Sequence, residues 1–473
     1  MKKITPHKIW DLGLPMVGLV VWFLYLPLIF LGEANGANLE VSFLQIFLML
    51  MVVLGVGLVF IENKFAKLSE VVIKNKFLML FGVFVLWNWL SLIWNANFLR
   101  GFLACGIISL VFAVTVLMSV LVKDKKALLR KMAKWFLIGA VVSCVFAIWQ
   151  MVGEAIGLST MVTFLPANYQ SALFGFARPT AFAQEPQFFA NLLIIAILLV
   201  LGGAVLGNKI FDDKIFGIKQ KRFQMPLIML FGICLTFATS RGAFLALILG
   251  LIIVIVTALR ANFFLRRLVV CVVSMIIGVL LLGFFAQINH RDDISGAQAM
   301  SKWVNQMTLG KISLVKQDPN LYYITDSDVS VKCQVSSVKC QPDNEGDGYV
   351  EASTNERMGG NEMAIRAWME HPILGIGIGG SGQYRYENYG EPNNRSINYN
   401  WYLDILSELG IVGLLLFGGM IFFIVRKVRG VALAIVVAIL GQWMFFAGYP
   451  NSLPCLVLLT FLFEKEKSPK ENR

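Results

Sequence analysis

Residues 398–417 read NYNWYLDILSELGIVGLLLF, and the reading of this stretch decides the fold. Its second half is an uncharged apolar run of the kind that enters a bilayer. Its first half sets Asp404 and Glu408 one helical turn apart, so both carboxyl groups point to the same side. A polar helix that continues into an apolar span brings two acids to a membrane edge, just behind Tyr399 and Asn400. Charge in that position is costly and usually has a purpose.

The rest of the chain supports a membrane setting. Its 473 residues are 57% hydrophobic and 15% charged, with a mean hydropathy of +0.71. No soluble core absorbs that much apolar surface. Length and lack of charge mark twelve spans: 13–32, 41–61, 77–96, 101–122, 135–153, 187–206, 226–239, 242–259, 268–286, 410–425, 430–448 and 452–463. The fold expected is an all-α polytopic membrane protein of about 12 transmembrane helices. Helices 1–9 occupy 1–286, one large outer loop with short helices occupies 287–399, helices 10–12 occupy 400–463, and 464–473 form a cytoplasmic tail.

With the N-terminus inside, 28 of the 41 Lys/Arg residues but only 9 of the 29 acids fall on inner segments. This is the positive-inside pattern. The net charge of +12 therefore reports topology, and no nucleic-acid partner is expected.

Inside the loop, STNERMGGNEMAIRAWMEHP (353–372) reads as an amphipathic helix opened by Ser353 or Thr354 and stopped before Pro372. ILGIGIGGSG (373–382) follows as a glycine-rich turn. It satisfies G-x-G-x-x-G, yet it comes after a helix and a proline rather than a strand, so no dinucleotide site is read there. In VKCQVSSVKCQ (331–341), a hairpin turning at Ser336-Ser337 would set Cys333 opposite Cys340 at a separation that suits a disulfide.

Three places hold arginine beside the membrane. FARPTAFAQEPQFFA (176–190) supplies Arg178 and Glu185. TFATSRGAFLAL (236–247) puts Arg241 at the turn between two spans, facing the bundle interior. The loop helix supplies Arg357 and Arg366. A lone arginine there is as readily an interfacial anchor. Several gathered on one side suit phosphate or pyrophosphate, held by the guanidinium fork. The histidines His7, His290 and His371 are scattered without ligand spacing, so neither a catalytic metal nor a cofactor is expected.

Taken in order, ARPTAFAQEP, TSRGAF, ERMGGNEMAIRAWMEHPILGIGIGG and YNWYLDILSELGIVGL resemble the O-antigen polymerase and O-antigen ligase family over about residues 175–425. The resemblance implies a metal-independent glycosyltransferase of the bacterial cytoplasmic membrane, with its active site facing outward. Its donor would be a glycan on undecaprenyl pyrophosphate, and a flippase and a chain-length regulator would be partners. Arg241, Arg178 and Arg357 match the family's arginines, Asn400 its asparagine, and Gly410 and Gly413 its glycines. Ligase members carry His where this chain has Tyr399, a poor base at neutral pH.

The expected function is therefore polymerisation of polysaccharide repeat units. The alternatives are ligation to lipid A core and, from another class, transport of a lipid-linked glycan. The expected catalytic set is Arg241, Arg178, Asp404, Tyr399 and Asn400, and the expected substrate-binding set is Arg357, Arg366, Glu185, Glu408 and His371. Asp404 and Glu408 pair with the arginines, take the acceptor proton, or simply favour a helix N-terminus.

Overall fold

The computed structural model describes residues 6–23, 27–34, 37–158, 172–173, 176–183, 185–203, 214–215, 218–219, 223–258, 262–289, 301, 303–304, 307, 348–390, 398–445 and 449–463. Cys333, Cys340, His290, most of the loop's first half and the tail 464–473 lie outside the described residues.

The described chain is built almost wholly from helices: α1 (Pro6–Val20), α2 (Phe43–Ile61), α3 (Phe65–Lys74), α4 (Lys76–Ser91), α5 (Phe98–Leu121), α6 (Lys125–Ala155) and α7 (Pro186–Gly203). They continue with α8 (Gln224–Ala238), α9 (Arg241–Ala258), α10 (Asn262–Asn289), α11 (Gly348–Glu370), α12 (Ser381–Tyr389), α13 (Trp401–Lys427), α14 (Val431–Gln442) and α15 (Tyr449–Phe463). The helical content fits the expected all-α class. Three small antiparallel hairpins interrupt the helices, the largest pairing Pro27–Ala34 with Ala37–Ser42.

That hairpin also shortens the first expected span. The chain leaves helical structure at Phe23 and is extended from Pro27, although 24–32 is apolar. Proline has no N–H for a helix interior and pushes the preceding residue toward extended backbone, so apolarity alone misjudged this end. Among the described residues, six helical segments are long and apolar enough to cross a bilayer: Phe43–Ile61, Lys76–Trp94, Phe98–Leu121, Lys125–Ala155, Leu265–Phe285 and Trp401–Lys427. Five shorter apolar helices accompany them: Pro186–Gly202, Gln224–Ala238, Arg241–Thr257, Val431–Gln442 and Ser452–Phe461. The helix of the first expected span belongs to neither group.

The surface is inside-out for a soluble protein. Val53, Phe60, Ile93, Leu415 and many other large apolar side chains are exposed, as lipid-facing positions are and water-facing ones rarely are in such numbers. Buried polar side chains instead turn back on their own helices. Thr115 donates to Val111 O at 2.7 Å and Thr236 to Gly232 O at 3.0 Å, so both hydroxyls are satisfied within the apolar core. Together these features define a multi-pass membrane protein.

The C-terminal third positions the site. Helix α11 packs on α13, α13 on α4, and α14 on α9 and α7. Helix α11 begins at Gly348, five residues before the expected Ser353.

Candidate functional site

The stretch at 398–417 folds into one helix with a break in it. Asn400 is the N-cap of α13, and its side-chain oxygen accepts from Tyr402 N at 3.0 Å and Leu403 N at 3.3 Å. At Gly410 the backbone leaves the helix, with φ 66° and ψ −170°, a region that essentially only glycine enters. The break frees three successive carbonyls, and each finds a donor from elsewhere. Ser407 O takes Ile376 N at 2.9 Å and Glu408 O takes Gly377 N at 2.9 Å. Leu409 O takes the indole N–H of Trp87 at 3.0 Å. In return, Ile411 N donates to Pro372 O at 3.0 Å. Backbone groups freed at membrane depth must be satisfied by protein, and the glycine-rich turn does so.

That turn explains the spacing of ILGIGIGG. Gly375 has φ +71°, and a Cβ there would sit 2.4 Å from the carbonyl of Glu408. The turn also docks on the α4–α5 connection, where Ile378 N donates to Ser91 Oγ at 3.1 Å and the Asn95 amide reaches Ile378 O. Glu408 closes the assembly from the side: its carboxylate accepts from Gly379 N at 2.8 Å, Ser381 N at 3.3 Å and Ser381 Oγ at 2.8 Å, with the positive charge of Arg100 nearby. We expect Glu408→Gln to cost on the order of 2 kcal/mol, because one of these acceptors becomes a donor that faces N–H groups. A fall in the melting temperature of purified protein measures this, and an unchanged midpoint refutes it.

Arg357, on α11, reaches the bundle. Its guanidinium donates to Gln187 Oε1 at 3.1 Å and lies over the Tyr399 ring, 5.2 Å from the centroid. Gln187 is itself fixed, because its amide N–H donates to Phe445 O at 2.7 Å. Buried Arg385 borders the same space. Its terminal nitrogens would be 3.8 Å from a Cβ at Gly360, and Tyr399 Cδ2 would be 4.0 Å away.

Arg178 and Arg241 meet at the α8–α9 turn. The Arg178 fork donates to Ala238 O at 3.2 and 3.0 Å and to Thr239 O at 3.0 Å. This places a cation at the C-terminus of α8, where carbonyls gather. Thr239 is left-handed, with φ 49°, which lets the chain reverse at once into α9 with Arg241 as its first residue. From α6, the buried Gln150 side chain accepts from Ala181 N at 2.8 Å and so holds the segment that bears Arg178. A Cβ at Gly242, next to Arg241, would be 3.0 Å from Phe445. A continuous run of neighbours thus leads from Arg178 and Arg241 through Phe445 and Gln187 to Arg357 and Tyr399.

The remaining expected residues separate. Asp404 is buried, and its Oδ1 accepts from Asn398 Nδ2 at 2.7 Å. Arg366 points away to the surface, paired with Glu362 at 2.6 Å and over Tyr389 at 5.9 Å. His371 and Glu185 are exposed, and the Glu185 carbonyl receives the first N–H groups of α7. Gln187, Gln150, Asn398 and Arg385 were not singled out from the sequence. Of these, Asn398 opens the 398–417 stretch and Gln187 lies in FARPTAFAQEPQFFA, but neither neutral amide carries a signal of its own.

The fold defines a multi-pass membrane protein in which Arg357 and Arg385 stand beside Tyr399, just ahead of the helix broken at Gly410. Residues 226–418 match the family model described as O-antigen ligase. That match supports the resemblance to the O-antigen ligase/polymerase family over a segment that includes Arg241, Arg357, Tyr399 and the Gly410 break. No curated protein matches the chain.

Proposed function

We propose that the chain polymerises surface polysaccharide repeat units. An undecaprenyl-pyrophosphate-linked glycan would be transferred onto the non-reducing end of a second lipid-linked glycan, at the outer face of the bacterial cytoplasmic membrane. The reading includes twelve spans with both termini inside and an outer loop over 287–399.

The observation that supports it best is the setting of Arg357. Among the described residues its charge meets a neutral amide and a ring face, with no carboxylate within ion-pair distance. A guanidinium so placed in a poorly solvated site favours an anion that arrives with the substrate. In the proposed step the acceptor hydroxyl attacks the anomeric carbon as the bond to pyrophosphate breaks. Arg357, Arg241 and Arg178 stabilise the leaving pyrophosphate, and the hydroxyl proton passes to Asp404 or water. Tyr399, where ligase members of the resembled family carry His, favours the polymerase over the ligase.

Proteoliposomes containing the protein and carrier-linked repeat units test the proposal. The expected product is a ladder of longer carrier-linked chains. Transfer to a lipid A core acceptor without lengthening would assign the ligase reaction instead, and movement of glycan across the membrane without any bond formed would assign transport.

A further inference from the structure

Helix α11 has two apolar faces. One, of small residues (Gly360, Ala364 and Ala367), is buried. The other carries Met358, Ile365 and Met369 within a narrow stripe at i, i+7 and i+11, and Ile373 and Leu374 extend it past the helix end. These five side chains are 42–69% exposed. A stripe of that kind on a loop bathed in water would be an aggregation surface.

Its depth can be reckoned along α13. The last turn of α13 carries Arg426 and Lys427, which mark one polar boundary of the bilayer. Gly410 lies 17 residues before Lys427, a rise of about 25 Å, whereas the hydrocarbon core is about 30 Å thick. Gly410 is therefore inside the hydrocarbon near the opposite boundary, and any tilt of α13 only sets it deeper. The turn is held at that level: Pro372 O accepts from Ile411 N at 3.0 Å, and Ile373 O lies against Gly410. The stripe also runs on into exposed apolar residues of α13, Ile411, Leu415 and Phe422, which recur at i, i+4 and i+11 on one face. The side that carries Ile373 and Leu374 is thus continuous with a membrane-facing surface.

We infer that the C-terminal half of α11 and the turn after it are inserted in the bilayer, with Ile365, Met369, Ile373 and Leu374 among the acyl chains of the leaflet on the loop side. Arg366 and Glu362 flank the stripe at the polar boundary. The occupant of this face is lipid rather than a protein partner. Insertion tethers Arg357, about a quarter-turn round the same helix and directed to Gln187 and Tyr399, at the level where a lipid-borne headgroup sits. The inference rests on geometry and stands whether or not the chain polymerises glycan.

Spin labels test it in vesicles of phosphatidylethanolamine and phosphatidylglycerol. Met369→Cys, Ile373→Cys and, as an aqueous control on α12, Glu387→Cys are each made in full-length protein carrying Cys333→Ser and Cys340→Ser. The five other cysteines are buried. Labels at 369 and 373 are expected to collide with dissolved oxygen more than with a water-soluble nickel chelate, and the label at 387 to show the reverse. A Met358→Cys label should lie shallower than one at 369. Nickel access at 369 and 373 equal to that at 387 overturns the inference. Protection of both positions from oxygen and nickel alike also overturns it, by assigning the face to a protein contact.

Discussion

Gly410→Ala should leave little folded protein, while Gly418→Ala, two turns further along the same helix, should behave as wild type. The difference follows from the two backbones. At Gly410 the φ of 66° and ψ of −170° admit a side chain only at a cost of about 1–3 kcal/mol. An added Cβ would also sit 2.1 Å from Ile373 O and 2.4 Å from Ile373 C. Those atoms belong to backbone that is stitched to α13 by Ile411 N–Pro372 O and Ile376 N–Ser407 O, so they cannot yield without breaking those bonds. Forced displacement of this kind costs about another 1–3 kcal/mol. Together, about 4 kcal/mol is a large part of the 5–15 kcal/mol that holds a typical domain folded. At Gly418, by contrast, a Cβ meets nothing within 4 Å, and alanine is the better helix former by about 1 kcal/mol. Detergent-extracted yield and melting temperature of the two variants decide the matter. A wild-type melt for Gly410→Ala would mean that the broken helix is not what docks the glycine turn.

This break also shows what a sequence discloses. The stretch at 398–417 was legible as a short polar helix leading into a span, because Gly410 sits where polarity changes. The glycine turn was legible as a turn because closely spaced glycines cannot sustain a helix. The partners of both were not. Leu409 O is met by Trp87, 322 residues away in sequence, and no local pattern announces such a pair. The same is true of Gln187, which joins Arg357 across 170 residues and Phe445 across 258. A single amide in an apolar run has no periodicity to read. The arginines were visible because charge is rare beside a membrane. The residues that orient them were silent because neutral polar groups are not rare there. At the other end of the chain, hydropathy to residue 32 suits a helix throughout, yet Pro27 opens a hairpin strand there. Glu408 was visible for its charge, yet its carboxylate is engaged with Gly379 and Ser381, a use that depends on a turn folding back 29 residues.

The second large effect is expected at Arg357. Arg357→Ala should lower glycan transfer about 10²–10³-fold, the usual consequence of removing one donor aimed at developing charge. Arg357→Lys should recover little of it. An ammonium is a compact point charge, and it lacks the planar fork that here holds Gln187 Oε1 while covering the Tyr399 ring. Tyr399→Phe provides the contrast. The ring, rather than the hydroxyl, attracts the guanidinium, so phenylalanine should keep at least about a tenth of the activity, a loss within about 1.4 kcal/mol. If proton removal falls to the buried carboxyl held by Asn398, Asp404→Asn should cost roughly 100-fold and exceed the effect at Tyr399. Each variant is first matched for its level in the membrane, and chain length in proteoliposomes is then the readout. Arg357→Lys at wild-type rate would show that only net charge matters at this position, and the anion would then need no fork. A dead Tyr399→Phe beside an active Asp404→Asn would move the proton chemistry to the phenol and return the ligase reaction to favour. The two carboxyls of the 398–417 stretch would then both serve the architecture, Asp404 through Asn398 and Glu408 through the glycine turn, and the arginines alone would be left to handle the pyrophosphate.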